Sequence, residues 1–316
     1  AWDAKRKQQR ARFETIPIPV KQIEFIPGGD EFLAVDPDGF VTLWDSSTLQ
    51  PLSSIGFQPV KDSSTRAESL GYVEKLFVSS SPVRVFANTR NGNVEVLDWA
   101  TRQRITDWNT EATEDSLAIV GIADQSRQLL LRHRDGFRVV GLDSWTTGAE
   151  SSQVLPLPTF TIQTAVSSDA NFLAMGGIRG PLRLINLRTG SAKELEAAEP
   201  WGASGVAFSP DGKILAASSL EGVIRFWDTS TLEVTHTLQG HLIGVNAIAF
   251  SPDGTRLASA SQGDEAVKLW DVRTGLEVTT LTGEGLIEGG LKFSPDGNLL
   301  IGINAQNKAI IWRSPP

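Results

Sequence analysis

Nucleophilic and metal chemistry needs histidines, cysteines or carboxylates at defined spacings, and this sequence is sparing with the first two. It has three histidines, His133, His236 and His241, and no cysteine. No histidine pair has the spacing of a zinc-binding HExxH helix, and no Gly-x-Ser-x-Gly elbow is present to raise a serine nucleophile. Without cysteine there is no disulfide, thiol nucleophile or thiolate metal site. Gly176-Gly177-Ile178-Arg179-Gly180 could cradle a phosphate only ahead of a helix N-terminus. Here it joins one strand-like run to another, so it reads as a turn. Carboxylates are numerous. Asp45, Asp98, Asp143, Asp228 and Asp271 recur at one place in a repeated pattern, and Asp211, Asp253 and Asp296 sit in turns, so both sets read as structural. No catalytic residue, cofactor or metal is expected.

Three arginines suit recognition better than catalysis. Arg90, Arg134 and Arg179 stand in the short turns Thr89-Arg90-Asn91, His133-Arg134-Asp135 and Ile178-Arg179-Gly180. The planar guanidinium fork fits a carboxylate or a phosphate. Trp108 and Trp201 lie in the loops TDWNTE and EPWGAS. Tryptophan and arginine are the usual anchors of protein interfaces. The competing reading pairs the arginines with local acids such as Asp135 and lays the tryptophans over a rim, and exposed pairs of that kind are weak.

The elements that must position these side chains repeat. Phe208-Ser209-Pro210-Asp211-Gly212 returns 42 residues later as Phe250-Ser251-Pro252-Asp253-Gly254, and Trp227-Asp228 returns as Trp270-Asp271. A repeat of this period is one supersecondary unit used many times. Ser-Pro-Asp-Gly is a turn: proline presets φ, and aspartate and glycine tolerate the reversal. The flanks NAIAF, RLASA and AVKLW are short and partly alternating, as half-buried strands should be. LEVTTL supplies a fourth strand.

These features resemble the WD-repeat family: the Trp-Asp pair, the Ser-Pro-Asp-Gly turn and the Gly240-His241 dipeptide all fall at its spacing. Aligned on the Trp-Asp place, the copies fall at Trp44, Leu97, Leu142, Ile185, Trp227, Trp270 and Trp312, with Gly141 as an alternative for the third. The resemblance implies an all-β fold, a seven-bladed β-propeller of four-stranded blades over residues 13–316. It also implies that His241, Ser259 (or Ser261), Asp264 and Trp270 form the family's buried tetrad, which rigidifies a blade. The last copy has three strands, and Phe13–Pro19 is expected to add the fourth and close the blade. Pro17 and Pro19 suit such an edge position. One interval is 53 residues against 42–45 elsewhere, which places an insertion near residues 57–66. The wording of the repeats is similar to bacterial members.

Composition bounds the rest. The 316 residues carry a net charge of −8, so phosphate-backbone binding to nucleic acid is not favoured. Residues 1–12 carry five basic residues and one acid, +4, which leaves −12 on the remainder. They read as a helical, solvated lead-in or linker, or as a tether to anionic headgroups or a membrane complex. The chain starts with Ala1 and shows no signal-peptide pattern, as expected of a piece of a longer protein. Cytoplasm is the favoured compartment, with membrane association through an upstream segment as the alternative.

By resemblance, turns between the second and third strands line the top face around a channel. Arg90, Arg134 and Arg179 then form a basic arc, with acids on the equivalent turns of the first, fifth and sixth copies. The resemblance implies a noncatalytic scaffold or complex subunit. Its partner would be a protein segment, acidic or phosphorylated, held by these arginines and by Trp108 and Trp201. The alternative is a propeller hydrolase or lyase with a site on the channel axis.

Overall fold

The computed structural model describes residues 13–56, 73–89, 94–105, 118–133, 136–142, 151–155, 163–177, 180–195, 202–261, 267–281 and 287–314. Every regular element among them is a strand. They form seven four-stranded antiparallel sheets, the blades of a seven-bladed β-propeller.

Two compact units divide the chain. Ile18–Leu157 holds three blades. The first is β2 (Gln22–Phe25), β3 (Glu31–Val35), β4 (Val41–Asp45) and β5 (Pro51–Ile55). The second is β6 (Val73–Ser80), β7 (Val83–Thr89), β8 (Val94–Asp98) and β9 (Arg104–Ile105). The third is β10 (Ala118–Ala123), β11 (Gln128–His133), β12 (Gly136–Gly141) and β13 (Ser151–Leu155). The insertion expected at residues 57–66 lies outside the described residues.

The other unit, Ala1–Pro17 with Pro158–Pro316, holds four blades. The fourth is β14 (Gln163–Val166), β15 (Phe172–Gly176), β16 (Leu182–Asn186) and β17 (Ala192–Leu195). The fifth is β18 (Gly205–Phe208), β19 (Ile214–Ser218), β20 (Val223–Asp228) and β21 (Val234–Gln239). The sixth is β22 (Val245–Phe250), β23 (Arg256–Ser261), β24 (Val267–Asp271) and β25 (Glu277–Leu281). The seventh is β26 (Ile287–Phe293), β27 (Leu299–Asn304) and β28 (Ala309–Arg313), with β1 (Phe13–Thr15) on its outer edge. Phe13 pairs with Trp312 and Thr15 with Ile310, and Arg313 Nε donates to Glu14 Oε1 at 2.8 Å. The closing strand is thus the expected one, but it stops before Pro17, which has no N–H to extend the ladder.

The expectation of half-buried strands holds for the first strands and fails for the second. Leu33, Leu173, Leu215 and Leu257 are fully buried, and so are their neighbours Ala174, Ala216 and Ala258. Neighbouring blades cover both faces of these strands. Leu215 and Ala217, for example, share one cluster with Leu182 and Leu184 of the fourth blade. Small alanines let the sheets approach, and each buried leucine contributes about 1.5–3 kcal/mol.

The turns behave as their chemistry dictates. In Ser-Pro-Asp-Gly, Ser209 Oγ donates to Asp211 Oδ1 at 2.6 Å and accepts from Ile214 N at 3.0 Å, while Gly212 takes φ 72°. Ser251 and Asp253 repeat the same bonds in the sixth blade.

The register corrects the third copy. Gln128 pairs with Gly141 as Arg256 pairs with Asp271, so Val140–Gly141, not Leu142–Asp143, occupies the Trp-Asp place. With glycine in the aspartate place, spacing alone has no side chain to fix the frame.

Candidate functional site

The sixth blade carries the one network the sequence singles out. Gly240-His241 leads into β22, which sets His241 beside the end of β24. His241 Nε2 lies 2.6 Å from Ser259 Oγ, and Trp270 Nε1 donates to the same oxygen at 2.7 Å. The imidazole and indole centroids are 6.1 Å apart. Gly240 is there for space: a Cβ on it would fall 2.8 Å from Trp270. The serine of the network is Ser259, not Ser261, whose hydroxyl donates to Ile243 O at 3.4 Å. Asp264 lies outside the described residues.

A serine 2.6 Å from a histidine nitrogen has the spacing of a nucleophile and its base. Here Ser259 is 0% exposed and Trp270 donates into its oxygen. That hydroxyl is closed to substrate. The arrangement does structural work, because a buried hydrogen-bonded chain of this kind fixes one packing of the sheets.

The recurring aspartates are pins for the turns that follow. Asp45 Oδ1 accepts from Ser47 Oγ at 2.6 Å, Thr48 N at 2.7 Å and Thr48 Oγ1 at 2.9 Å, which hold its carboxyl down at about 2. Asp98 and Asp228 are lowered in the same way by Thr101 and Ser230. At Asp253 and Asp296 burial opposes ionisation, and the hydroxyl and amide donors outweigh it. Each is committed to its own turn.

The sequence reading missed two side-chain clips that tie blades together in the first unit. Gln22 gives its Nε2 to Leu76 O at 2.7 Å and takes Leu76 N at 2.9 Å. Asn88 does the same with Ile119, at 2.9 and 3.0 Å. Each amide stands in for a peptide group across the gap between blades. The available signal was an amide at or next to the end of a strand.

The expected partner contacts Arg90, Arg134, Arg179, Trp108 and Trp201 all lie outside the described residues. Trp99 is covered by Arg102, whose guanidinium carbon sits 3.3 Å from the ring centroid. What the structure adds is an exposed apolar edge where the fifth and sixth blades meet. Leu242 is 91% exposed, Ile243 49% and Leu220 38%. Leu220 sits in the turn between β19 and β20, and Leu242 and Ile243 in the loop before β22. Val245 N donates to Ser219 O at 3.0 Å, and a Cβ on Gly244 would meet Leu220 O at 2.6 Å. Backbone packs on backbone, so the side chains are held outward on a fixed frame.

Comparison with known proteins agrees with the repeat. Residues 194–228 and 232–271 match the family model described as WD40: WD domain, G-beta repeat. These spans cover β18–β20 and β21–β24, the two blades with the fullest signature. No curated protein matches the chain. With seven four-stranded blades and these two matches, the chain carries WD40 repeats on a seven-bladed β-propeller, a fold commonly used for protein–protein interaction.

Proposed function

We propose that the chain is a noncatalytic scaffold, a subunit of a larger assembly, that binds a segment of a partner protein on the loops joining its blades. The observation that supports this most directly is the exposed edge of Leu220, Leu242 and Ile243. Large apolar side chains grouped on a rigid frame mark contact surfaces. The edge shares its end of the blade with the turn between second and third strands. Arg90, Arg134 and Arg179 occupy the same kind of turn in their own blades. In this reading they receive acidic or phosphorylated residues of the segment, and Trp108 and Trp201 act as anchors.

The test uses the tagged chain as bait in native extracts, washed at low and high salt. A stoichiometric protein partner is expected. Leu242→Asp with Ile243→Asp should abolish its capture while circular dichroism stays unchanged. Arg90→Glu, Arg134→Glu and Arg179→Glu together should remove the salt-sensitive part. A folded double aspartate variant that captures the partner as well as wild type would refute the edge. A bare monomer holding a divalent ion would favour a hydrolase or lyase instead.

A further inference from the structure

The fifth blade keeps the tryptophan of the WD pattern and loses the groups that satisfy it. Register places Ala217, paired with Val206 and Arg225, where the sixth blade has Ser259, paired with Ile248 and Lys268. Trp227 therefore faces a methyl group where Trp270 finds a hydroxyl. The residue is 3% exposed, but its indole N–H is not among the fully buried unpaired polar atoms, and no hydrogen bond joins it to another described residue, so it opens on the cleft described below.

Its neighbour on the strand has lost a partner too. Lys268 is held by Glu277 Oε2 at 3.0 Å and Thr280 Oγ1 at 3.1 Å, and Arg183, at this place in the fourth blade, by Glu194 at 2.8 Å. Arg225 has Thr237 opposite it on β21 and no ion pair among the described residues. Arg225 and Trp227 line one cleft between the fourth and fifth blades, with Leu182, Ala203, Ala217 and Ser218. It is a shallow cleft, open to solvent. Ser218 Oγ is 3.2 Å from Ser204 Oγ and 3.4 Å from Val245 O, so the guanidinium and the indole N–H are the donors left to a ligand.

We propose that this cleft is a carboxylate site that receives one acidic side chain of a partner protein. Arg225 pairs with the carboxylate, and Trp227 donates its N–H to one of the two oxygens. A planar fork beside one N–H matches a planar two-oxygen acceptor, and the apolar walls seat the side chain's methylenes. For the source of the side chain, this rests on the scaffold reading above.

The test is a titration of the ¹⁵N-labelled chain with N-acetyl-glutamate amide, and with N-acetyl-glutamine amide as the neutral control. The Trp227 indole cross-peak is identified by its loss in Trp227→Phe. It should move saturably with the glutamate probe alone. Arg225→Leu should weaken that response about tenfold, the weight of a hydrogen bond to a charged group. Ala217→Ser, which restores the hydroxyl Trp270 enjoys and keeps the arginine, should weaken it as well. An equal response to both probes, a still indole peak, or full binding by a folded Arg225→Leu would overturn the site. A specific glutamate response in a chain that captures no protein would support the site and sink the scaffold.

Discussion

The fifth and sixth blades are the two most alike in sequence, and they solve one problem differently. Both end their third strand in Trp-Asp, and both use the Ser-Pro-Asp-Gly turn. In the sixth, Trp270 is tied through Ser259 to His241, and Lys268 is tied to Glu277. In the fifth, Ala217 replaces the serine and Arg225 has no acid across from it. The sheets themselves are equally regular, each four-stranded with its tryptophan 3% exposed. The difference teaches that Trp-Asp holds the blade by burial and by its turn. The polar chain is a separate layer that a blade can lack, and where it is lacking a cleft with idle donors remains.

The largest test of that separation removes the tryptophans. Trp270→Ala should cost about 4 kcal/mol in cavity and lost burial, read from urea unfolding. Trp227→Ala should cost less by about 1 kcal/mol, because no hydrogen bond goes with it. Equal costs would mean the polar chain adds nothing. A narrower test exchanges only the hydroxyl. Ser259→Ala strands the indole N–H and the imidazole nitrogen together and should cost about 2 kcal/mol. The reverse change, Ala217→Ser, should raise stability by about 1 kcal/mol as it supplies Trp227 with an acceptor. A loss on Ala217→Ser would show that the fifth blade has no room for the missing hydroxyl.

Much of the fold was legible because it rests on local rules repeated along the chain. The turn chemistry, the tryptophan spacing and the spare strand at Phe13 each predict their element alone. The third blade shows the limit, since Gly141 in the aspartate place leaves two residues of slack. Burial on both faces was not legible in LASAS, because alternation says nothing of a second sheet arriving from outside. The buried trio His241, Ser259 and Trp270 could be picked out by resemblance. Gln22, Asn88 and the Arg225 cleft could not, because they depend on what a neighbouring blade presents across the gap. A serine-to-alanine exchange is visible in sequence, but its consequence for Trp227 appears only once the strands are in register.

The smallest effect concerns what the two blades share. Asp228 and Asp271 pin the same turn, and both carboxyls lie below the ordinary range. Asp228 is lowered by Ser230 and the amides; at Asp271 burial opposes and Thr274 prevails. Asp45, in the equivalent turn of the first blade, falls from 3.8 to about 2. A carboxyl whose folded value is depressed adds stability above its unfolded value and loses it as pH falls through the folded one. The Asp45 pin should therefore hold above about pH 4 and fail toward pH 2, and the Asp228 and Asp271 pins should weaken in the same direction as pH falls below the ordinary carboxylate range, as followed by urea midpoints. Glu95 and Asp124 work the other way, since burial raises both and acid relieves the cost of their charge. Asn186 shows that an amide oxygen can serve as a pin, accepting from Arg188 N at 3.0 Å and Thr189 N at 2.9 Å. Asp228→Asn should then keep its turn and flatten part of the acid limb. Asp271→Asn should flatten more, because the 2.6 Å contact from Arg256 is lost as well. Equal flattening would mean that the arginine contributes nothing at the exposed end of the sixth blade. The two blades would then differ only in their buried layer, where Ser259 and Ala217 part them.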